Sequence, residues 1–319
     1  MLVTGHTGFK GAWLCSMLRH LGAQVHGYAL EPPQESLYSH LGLDISSCFA
    51  DVRNCEMLCA YMNKVRPRIV FHLAAQALVS VGRERPVDTF STNIMGLVHV
   101  LEASVQTGVE AVVVISTDKV YAPQKDPCAT ASKLGGLDPY SASKTAAEFV
   151  IAPYRDRLSI SVARSGNAIG GGDWGKDRLF PDIMRAYRQN TPLHIRHPHA
   201  TRPWIHVAEL SRAYLMLGKA NLEGCHTEVF NFGARDSISV RDILQMVEKY
   251  GICPPIIYSD GPPKETQQLS LNTEKSERLL GWKPVLDPQK SIHWTIEEYR
   301  STHQKMLEMM ISRMSLLQT

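Results

Sequence analysis

Tyr140 and Lys144 stand four residues apart in the run Tyr140-Ser141-Ala142-Ser143-Lys144. That spacing puts both side chains on one face of a helix. A phenol with a pKa of about 10 is a poor base at neutral pH. A nearby ammonium favours the phenolate, which makes Tyr140 a candidate acid/base for a hydroxyl group. Far upstream, Gly5-His6-Thr7-Gly8-Phe9-Lys10-Gly11 follows the apolar stub Leu2-Val3 and opens into a helical pattern. Glycines three apart let a backbone turn tightly against a pyrophosphate, whose charge then sits at a helix N-terminus. The two motifs together imply proton chemistry beside a dinucleotide, whose positive nicotinamide ring would also favour the phenolate. A third pair, Asp118-Lys119, comes just after the apolar run Ala111 to Ile115. It reads either as a solvated turn or as a ligand-facing couple, because strand C-termini of open α/β sheets are where ligands bind.

The adenosine end is less marked. The strand Val25-His26-Gly27-Tyr28 runs into Ala29, where an acid for the ribose is expected, and Glu31 is the acid in reach. No arginine stands there for a 2′-phosphate, which favours NAD over NADP. Asp51 reads as a hydrogen-bond acceptor for the adenine amino group or as the N-cap of the helix that follows; the two roles are not exclusive.

The elements that must position these residues alternate. Strands are expected at Leu2 to Thr4, Gln24 to Leu30, Ile69 to Leu73, Ala111 to Ile115 and Ser159 to Ala163. Helices are expected from Trp13 to Leu21, Glu56 to Val65, Thr92 to Gln106 and Tyr140 to Ile151. Alternation at this spacing means right-handed βαβ units and a Rossmann-type doubly wound parallel sheet. An NAD-binding domain is expected over 1–166. Residues 167–319 are read as a smaller, mainly substrate-binding region with segments returning to the main sheet, Glu228 to Gly233 among them. Helices are expected there at Pro181 to Arg188, Val207 to Lys219, Val240 to Tyr250 and Glu274 to Leu280. The Met- and Leu-rich tail after His303 is read as a helix that packs on a partner or frays.

Bulk properties narrow the classes. The 319 residues are 44% hydrophobic and 20% charged, with 34 basic and 31 acidic residues for a formal charge of +3. That profile fits a globular protein and gives no whole-protein case for nucleic acid binding. The seven cysteines, at 15, 48, 55, 59, 128, 225 and 253, form no CxxC pair. They read as reduced thiols in a cytoplasmic protein. Cys55 and Cys59 read as packing, and no metal is expected. No apolar run reaches transmembrane length and the start lacks a leader pattern, so neither membrane insertion nor export is expected.

Four motifs in order carry a resemblance: Thr4 to Gly11, His72-Leu73-Ala74-Ala75-Gln76, Ser116-Thr117-Asp118-Lys119-Val120-Tyr121, and Tyr140 to Lys144. The chain resembles the extended short-chain dehydrogenase/reductase superfamily in its nucleotide-sugar branch, nearly end to end. Within that branch it is most similar to the CDP-glucose 4,6-dehydratases. The specific marks are Gly5 to Trp13, Ser116 to Lys119, Gly170-Gly171-Gly172-Asp173-Trp174, and Ile195 to Pro198 running into Arg202 to Val207.

The resemblance implies that Gly5, Thr7, Gly8, Phe9, Gly11, Asp51, Val52, Leu73, Ala74, Ala75, Tyr140 and Lys144 hold NAD. It implies that Gln76, Asn167, Arg178 and Arg202 meet the substrate. For Arg178 and Lys176 a surface ion pair is the competing reading, and for Trp204 core packing is preferred to stacking on the ligand. The implied reaction oxidises the sugar at C4, with Tyr140 taking the hydroxyl proton and Thr117 steadying it. Water then leaves across C5 and C6, and hydride returns to C6. Asp118 would protonate the leaving C6 hydroxyl and Lys119, once neutral, would take the C5 proton. An epimerase needs no such pair.

A homodimer or dimer of dimers, formed through Leu78 to Gln106 and Tyr140 to Ile151, is implied as well. So is deoxysugar supply for a surface polysaccharide such as lipopolysaccharide O-antigen. The family pattern carries more residues before the glycine loop and a longer segment around Tyr154 to Ser159, which leads to an expectation of either an upstream start or a short central strand. A 4-epimerase, a dehydratase for another nucleotide sugar, and an NAD-binding homologue without turnover stay open at this point.

Overall fold

Leu2 and Val3 point to opposite faces of a parallel sheet, and so do Val70 and Phe71, and Val112 and Val113. This period-two alternation forces two apolar layers, each of which needs helices to cover it. The computed structural model describes residues 1–224, 228–259 and 269–317; Cys225 lies outside them. Its strands are β1 (Leu2–Thr4), β2 (His26–Ala29), β3 (Ser46–Phe49), β4 (Ile69–His72), β5 (Ala111–Ile115), β6 (Ser159–Ser165), β7 (Ala168–Ile169), β8 (Leu193–Ile195), β9 (Thr201–Arg202), β10 (Ile205–His206), β11 (Val229–Phe232), β12 (Ile238–Ser239) and β13 (Ile256–Tyr258). The main sheet is seven-stranded in the order β11-β6-β5-β4-β1-β2-β3. Every pairing in it is parallel. This is the Rossmann-type doubly wound arrangement, with β11 added beside β6. The strand order reverses between β1 and β4, which opens a crevice beyond their C-terminal ends.

The helices are α1 (Phe9–His20), α2 (Leu37–Leu41), α3 (Cys55–Val65), α4 (Val79–Glu84), α5 (Pro86–Phe90), α6 (Gly96–Thr107), α7 (Pro139–Ile151), α8 (Leu179–Gln189), α9 (Val207–Leu222), α10 (Val240–Glu248), α11 (Glu274–Leu280), α12 (Pro288–Arg300) and α13 (His303–Leu317). Leu58 and Met62 of α3, Leu97 and Leu101 of α6, and Ala147 of α7 cover one face of the sheet. Leu14 and Leu18 of α1 and Leu210 and Leu217 of α9 cover the other. The stretch Leu78 to Gln106, expected to form the dimer surface as one helix, is corrected: Arg85 (φ −131°, ψ 64°) interrupts it and Pro86 starts α5. Proline disfavours helical geometry in the residue before it and has no N–H to donate. A π-helical stretch, Ser91–Met95, then joins α5 to α6.

The second half builds a smaller cluster from α8, α10 and α12 around Phe180, Ile183, Ile243 and Ile296. The tail is corrected too. Met306, Met310 and Met314 are four apart, share one face of α13, and are buried with Trp13 and Met17 of α1. A charged group closes this corner. Glu298 of α12 is fully buried, hydrogen-bonds His206 at 3.1 Å, accepts the Gly171 N–H at 2.6 Å and pairs with Arg313 of α13. Trp13 Nε1 donates to the Gly171 carbonyl at 3.1 Å. The glycine loop 170–172 is therefore tied to the helices on both sides.

Burial alone would raise the Glu298 carboxyl, but His206, Arg313 and the Gly171 N–H together hold it below its ordinary 4.5. A carboxylate depressed in the fold stabilises it above the unfolded pKa and loses that contribution as pH falls through the folded one. Glu298→Gln is expected to cost about 3–5 kcal/mol at neutral pH, because the buried Arg313 loses its buried carboxylate and keeps only the half-exposed Glu297 as a charged partner. It should also flatten the fall in stability below pH 4.5. Denaturant melts across the acid range check both, and a variant with the wild-type acid slope would refute the assignment.

Candidate active site

The loop after β1 is shaped by close backbone approach. Gly5 has φ +71°, and a Cβ there would lie 2.7 Å from Ala74 N. A Cβ on Gly11 would lie 2.2 Å from the Gly5 carbonyl oxygen. Thr7 Oγ1 donates to the Leu30 carbonyl at 3.0 Å, pinning the loop to the end of β2. Gly8 is the N-cap of α1 and makes no side-chain cap hydrogen bond, and the first turn carries no acid. The N-terminal N–H groups of α1 are thus presented to the crevice with nothing on the side chains competing for them, an arrangement that suits a diphosphate.

The crevice widens into one cavity of about 950 Å³. Its wall includes all the candidate cofactor residues: Gly5, Thr7, Gly8, Phe9, Gly11, Asp51, Val52, Leu73, Ala74, Ala75, Tyr140 and Lys144. Thr117, Asp118, Lys119, Gln76, Asn167, Arg178 and Arg202 line the same cavity, as does Trp204. Glu31 and Lys176 are not among the lining residues. Asp51 is not the cap of α3, since Asn54 accepts the Met57 N–H. Instead Asp51 accepts from Arg53, at 3.0 Å from Nε and 2.7 Å from Nη2.

α7 is set by Pro139 at its first turn and by Asp138, which accepts the Ser141 N–H. Tyr140 and Lys144 are both buried. Lys144 Nζ donates to the Ile115 carbonyl at 2.8 Å, and burial lowers the amine to about 8. Burial pushes the Tyr140 phenol up to about 12; a hydrogen bond with Thr117 and the charge of Arg178 draw it back, while Asp118 and Asp138 raise it. The expected phenolate rests on two charges, the Lys144 ammonium and the nicotinamide ring, and only the first belongs to the protein. Desolvation wins, and the nearby guanidinium does not offset it. A cationic ring beside the phenol would act in the missing direction, so the pocket fits a nicotinamide.

Asp118 opens a short 3₁₀ turn capped by Thr117, whose Oγ1 donates to Asp118 Oδ1 at 3.2 Å. The other carboxyl oxygen, Oδ2, is buried and has no hydrogen-bond partner. Burial raises this carboxyl above its ordinary range, against the pull of Lys119, Thr117, Arg202 and Lys10. The shift is in the direction that favours the protonated form. Lys119 is half-buried beside it.

Some expected substrate contacts are otherwise engaged. Both amide hydrogens of Gln76 are spent, on the Leu78 carbonyl at 3.0 Å and Thr89 Oγ1 at 2.9 Å, and Oε1 accepts the Leu78 N–H. Arg178 Nη1 bridges both oxygens of Asp173 at 2.9 Å. Sequence reasoning passed over Lys10, which lines the cavity and donates to Ser165 Oγ at 3.2 Å. Its signal was there: it is the charge between Phe9 and Gly11 where α1 starts. It also passed over Asn93, in the π-helical stretch. That side chain donates to Ser143 Oγ at 2.8 Å and to the Gln76 carbonyl at 3.0 Å, joining the loop after β4 to α7. Among the described residues, no group of His, Cys, Asp and Glu has the makings of a metal site, and no helix is long and apolar enough to cross a membrane.

Residues 1–233 match the model of the NAD dependent epimerase/dehydratase family. Over 307 residues, 89% of this chain and 86% of the relative, the sequence is 39% identical to CDP-glucose 4,6-dehydratase of Salmonella typhimurium. It is 26% identical to UDP-glucose 4-epimerase of Rhizobium meliloti, over 90% of this chain and 93% of that one. The fold superimposes on Thermus thermophilus UDP-glucose 4-epimerase complexed with NAD at a TM-score of 0.84, with 25% identity, covering 94% of this chain and 98% of that one.

Proposed function

The chain belongs to the NAD dependent epimerase/dehydratase family, a branch of the extended short-chain dehydrogenase/reductases, and from that premise we propose that it is a 4,6-dehydratase converting CDP-glucose to CDP-4-keto-6-deoxyglucose and water. As an NAD-dependent nucleotide-sugar enzyme it needs the cofactor, and the Gly5–Gly11 cradle and the free N-terminus of α1 fit its diphosphate. NAD, when bound, supplies reversible acceptance of hydride from the sugar.

The protein's own residues move the protons. Tyr140 takes the proton of the C4 hydroxyl, oriented by Thr117. With C4 a ketone, the C5 proton is acidic, and Lys119 removes it. The C5–C6 double bond forms as the C6–O bond breaks, and Asp118 gives its proton to the departing hydroxyl as water. Lys119 returns its proton to C5 as C6 takes the hydride back, and the proton that Tyr140 took replaces the one Asp118 gave, so all three groups are restored and no net oxidant is consumed. Asn167 and Arg202 would meet the diphosphate, for which arginine forks are suited, and Arg178 would help through the nitrogens other than the Nη1 that Asp173 holds.

One observation carries this reading: Asp118, with a buried unpartnered oxygen, shares a cavity with Tyr140 and the glycine cradle. A 4-epimerase has no use for an acid–amine couple there. The test is a panel of CDP-, dTDP-, UDP- and GDP-sugars read by mass. Loss of one water from CDP-glucose, with a product absorbing in alkali, is expected. Inversion without mass change would replace the reading by an epimerase, and bound NAD with no turnover by a binding protein. Lys119→Met is expected to abolish water loss while reduced cofactor still accumulates on substrate; unchanged turnover would remove Lys119 as the base.

Exposed Val87, Phe90, Met95 and Phe149 lie on α5, the π-helical stretch and α7, elements that pack together. They support a homodimer through this surface, which a monomer mass in light scattering would refute. The six described cysteines are free thiols, in keeping with a cytoplasmic setting.

A further inference from the structure

Glu148 lies one turn beyond Lys144 on α7 and is buried against Arg164 of β6, with side chains 7% and 4% exposed. Arg164 Nε donates to both carboxylate oxygens, at 3.1 and 3.0 Å, and Nη2 donates to Oε2 at 2.5 Å. Burying two charges costs about as much as their attraction returns, so stability alone is a weak reason for such a pair. Two of its remaining contacts fall on one segment, residues 116–121. Ser116 Oγ donates to Glu148 Oε1 at 2.5 Å. Arg164 Nη1 donates to the Tyr121 hydroxyl at 2.9 Å and to the Thr130 carbonyl at 3.0 Å. The Tyr121 hydroxyl in turn donates to Asn231 Oδ1 at 2.6 Å.

Ser116 and Tyr121 bracket Thr117-Asp118-Lys119, so a single ion pair grips both ends of the acid–amine segment. Tyr140 is held differently, by the Asp138 cap and by Asn93 through Ser143. We propose that Glu148 and Arg164, with Tyr121 as their arm, form a positioning clamp that sets the rate of water elimination separately from that of C4 oxidation. The proposal rests on the dehydratase reading above. The chemical ground is that elimination needs two proton transfers on adjacent carbons. Asp118 and Lys119 must both be in place, whereas in oxidation the one proton is taken by Tyr140, which is anchored on α7.

Tyr121→Phe tests this. It keeps the ring under the Arg164 guanidinium, 4.7 Å from its centroid, and removes only the hydroxyl that joins Arg164 to Asn231. In single turnovers of the NAD-loaded protein with CDP-glucose, reduced-nicotinamide absorbance follows oxidation, and product mass follows water loss. Water loss is expected to slow by about 10- to 100-fold, the scale of a small misplacement of a catalytic group, with oxidation little changed. Glu148→Gln should act in the same direction. Because Glu148 favours the charged form of Lys144, it should also move the alkaline limb of the oxidation profile to lower pH, and Glu148→Asp should recover part of both.

Should Glu148→Gln fail to fold, Tyr121→Phe still decides. If its two rates fall together, or neither moves, in a protein whose wild type dehydrates CDP-glucose, the clamp is overturned and the dehydratase reading stands. A wild type that oxidises no nucleotide sugar overturns both.

Discussion

Tyr140→Phe is expected to slow C4 oxidation by about 10²- to 10⁴-fold, the range for loss of a positioned acid/base. The phenol is buried beside Thr117 and Asp118, in the wall of the cavity that also contains the glycine cradle. Burial pushes the phenol up to about 12, and a cationic nicotinamide ring beside it would favour the phenolate. The wild-type oxidation rate should therefore rise with pH along a limb that the phenylalanine variant lacks. The fold should be nearly indifferent, since the change removes a single hydroxyl, worth about 0.5–1.5 kcal/mol at most as a hydrogen-bonding group. The measurements are stopped-flow accumulation of reduced nicotinamide and a thermal melt of the same preparation. A variant that keeps wild-type oxidation with its pH limb intact would remove Tyr140 from the chemistry.

Gly11→Ala carries the second large effect. The new methyl would meet the Gly5 carbonyl oxygen at 2.2 Å and His6 Cα at 2.7 Å. Both are backbone atoms, so no side-chain rotation relieves the clash. Either α1 moves out or the loop between Gly5 and Gly8 opens, at a cost of about 1–3 kcal/mol by the scale of overpacked cores. The loop is the element whose N–H groups face the cofactor, so the cost falls on NAD affinity, about 10- to 100-fold in dissociation constant. Calorimetric titration with NAD reads this directly. Wild-type affinity would mean that the diphosphate does not sit on this turn.

Much of the sheet was legible from the chain because β4 and β5 are short apolar runs, β6 opens on the alternation Ser159-Ile160-Ser161-Val162, and glycines close α1 and α6. β3 was not: Ser46–Phe49 is a half-exposed edge strand of serine, cysteine and phenylalanine, with no apolar face to announce it. α12 was hidden for the opposite reason. Its buried face includes Ser291, Thr295 and Glu298, so polar residues stand where the helical period calls for apolar ones. Only Asp287 and Pro288, a cap and a first-turn proline, marked its start.

In the candidate site, the local motifs could be read from residue type, whereas the groups that tie them together could not. Glu148 and Arg164 are 16 residues apart, and Tyr121 and Asn231 are 110 apart. Nothing in the spacing of either pair foretells a contact. The Tyr140 phenol shows what spacing leaves out. Spacing placed Lys144 correctly on its helix face, but the ammonium points to the Ile115 carbonyl, and desolvation decides the titration.

The position of β11 bears on how the chain is made. Residues 229–232 fill the outermost place in the sheet, next to a strand completed at residue 165. While the ribosome adds the intervening stretch, the N-terminal strands are already able to pair, and β6 exposes a row of unsatisfied amides and carbonyls. An uncovered edge of this kind invites pairing with another nascent chain. Slow decoding between these points prolongs that exposure, so yield in a heterologous host should respond to codon choice there and to chaperones that shield β-edges.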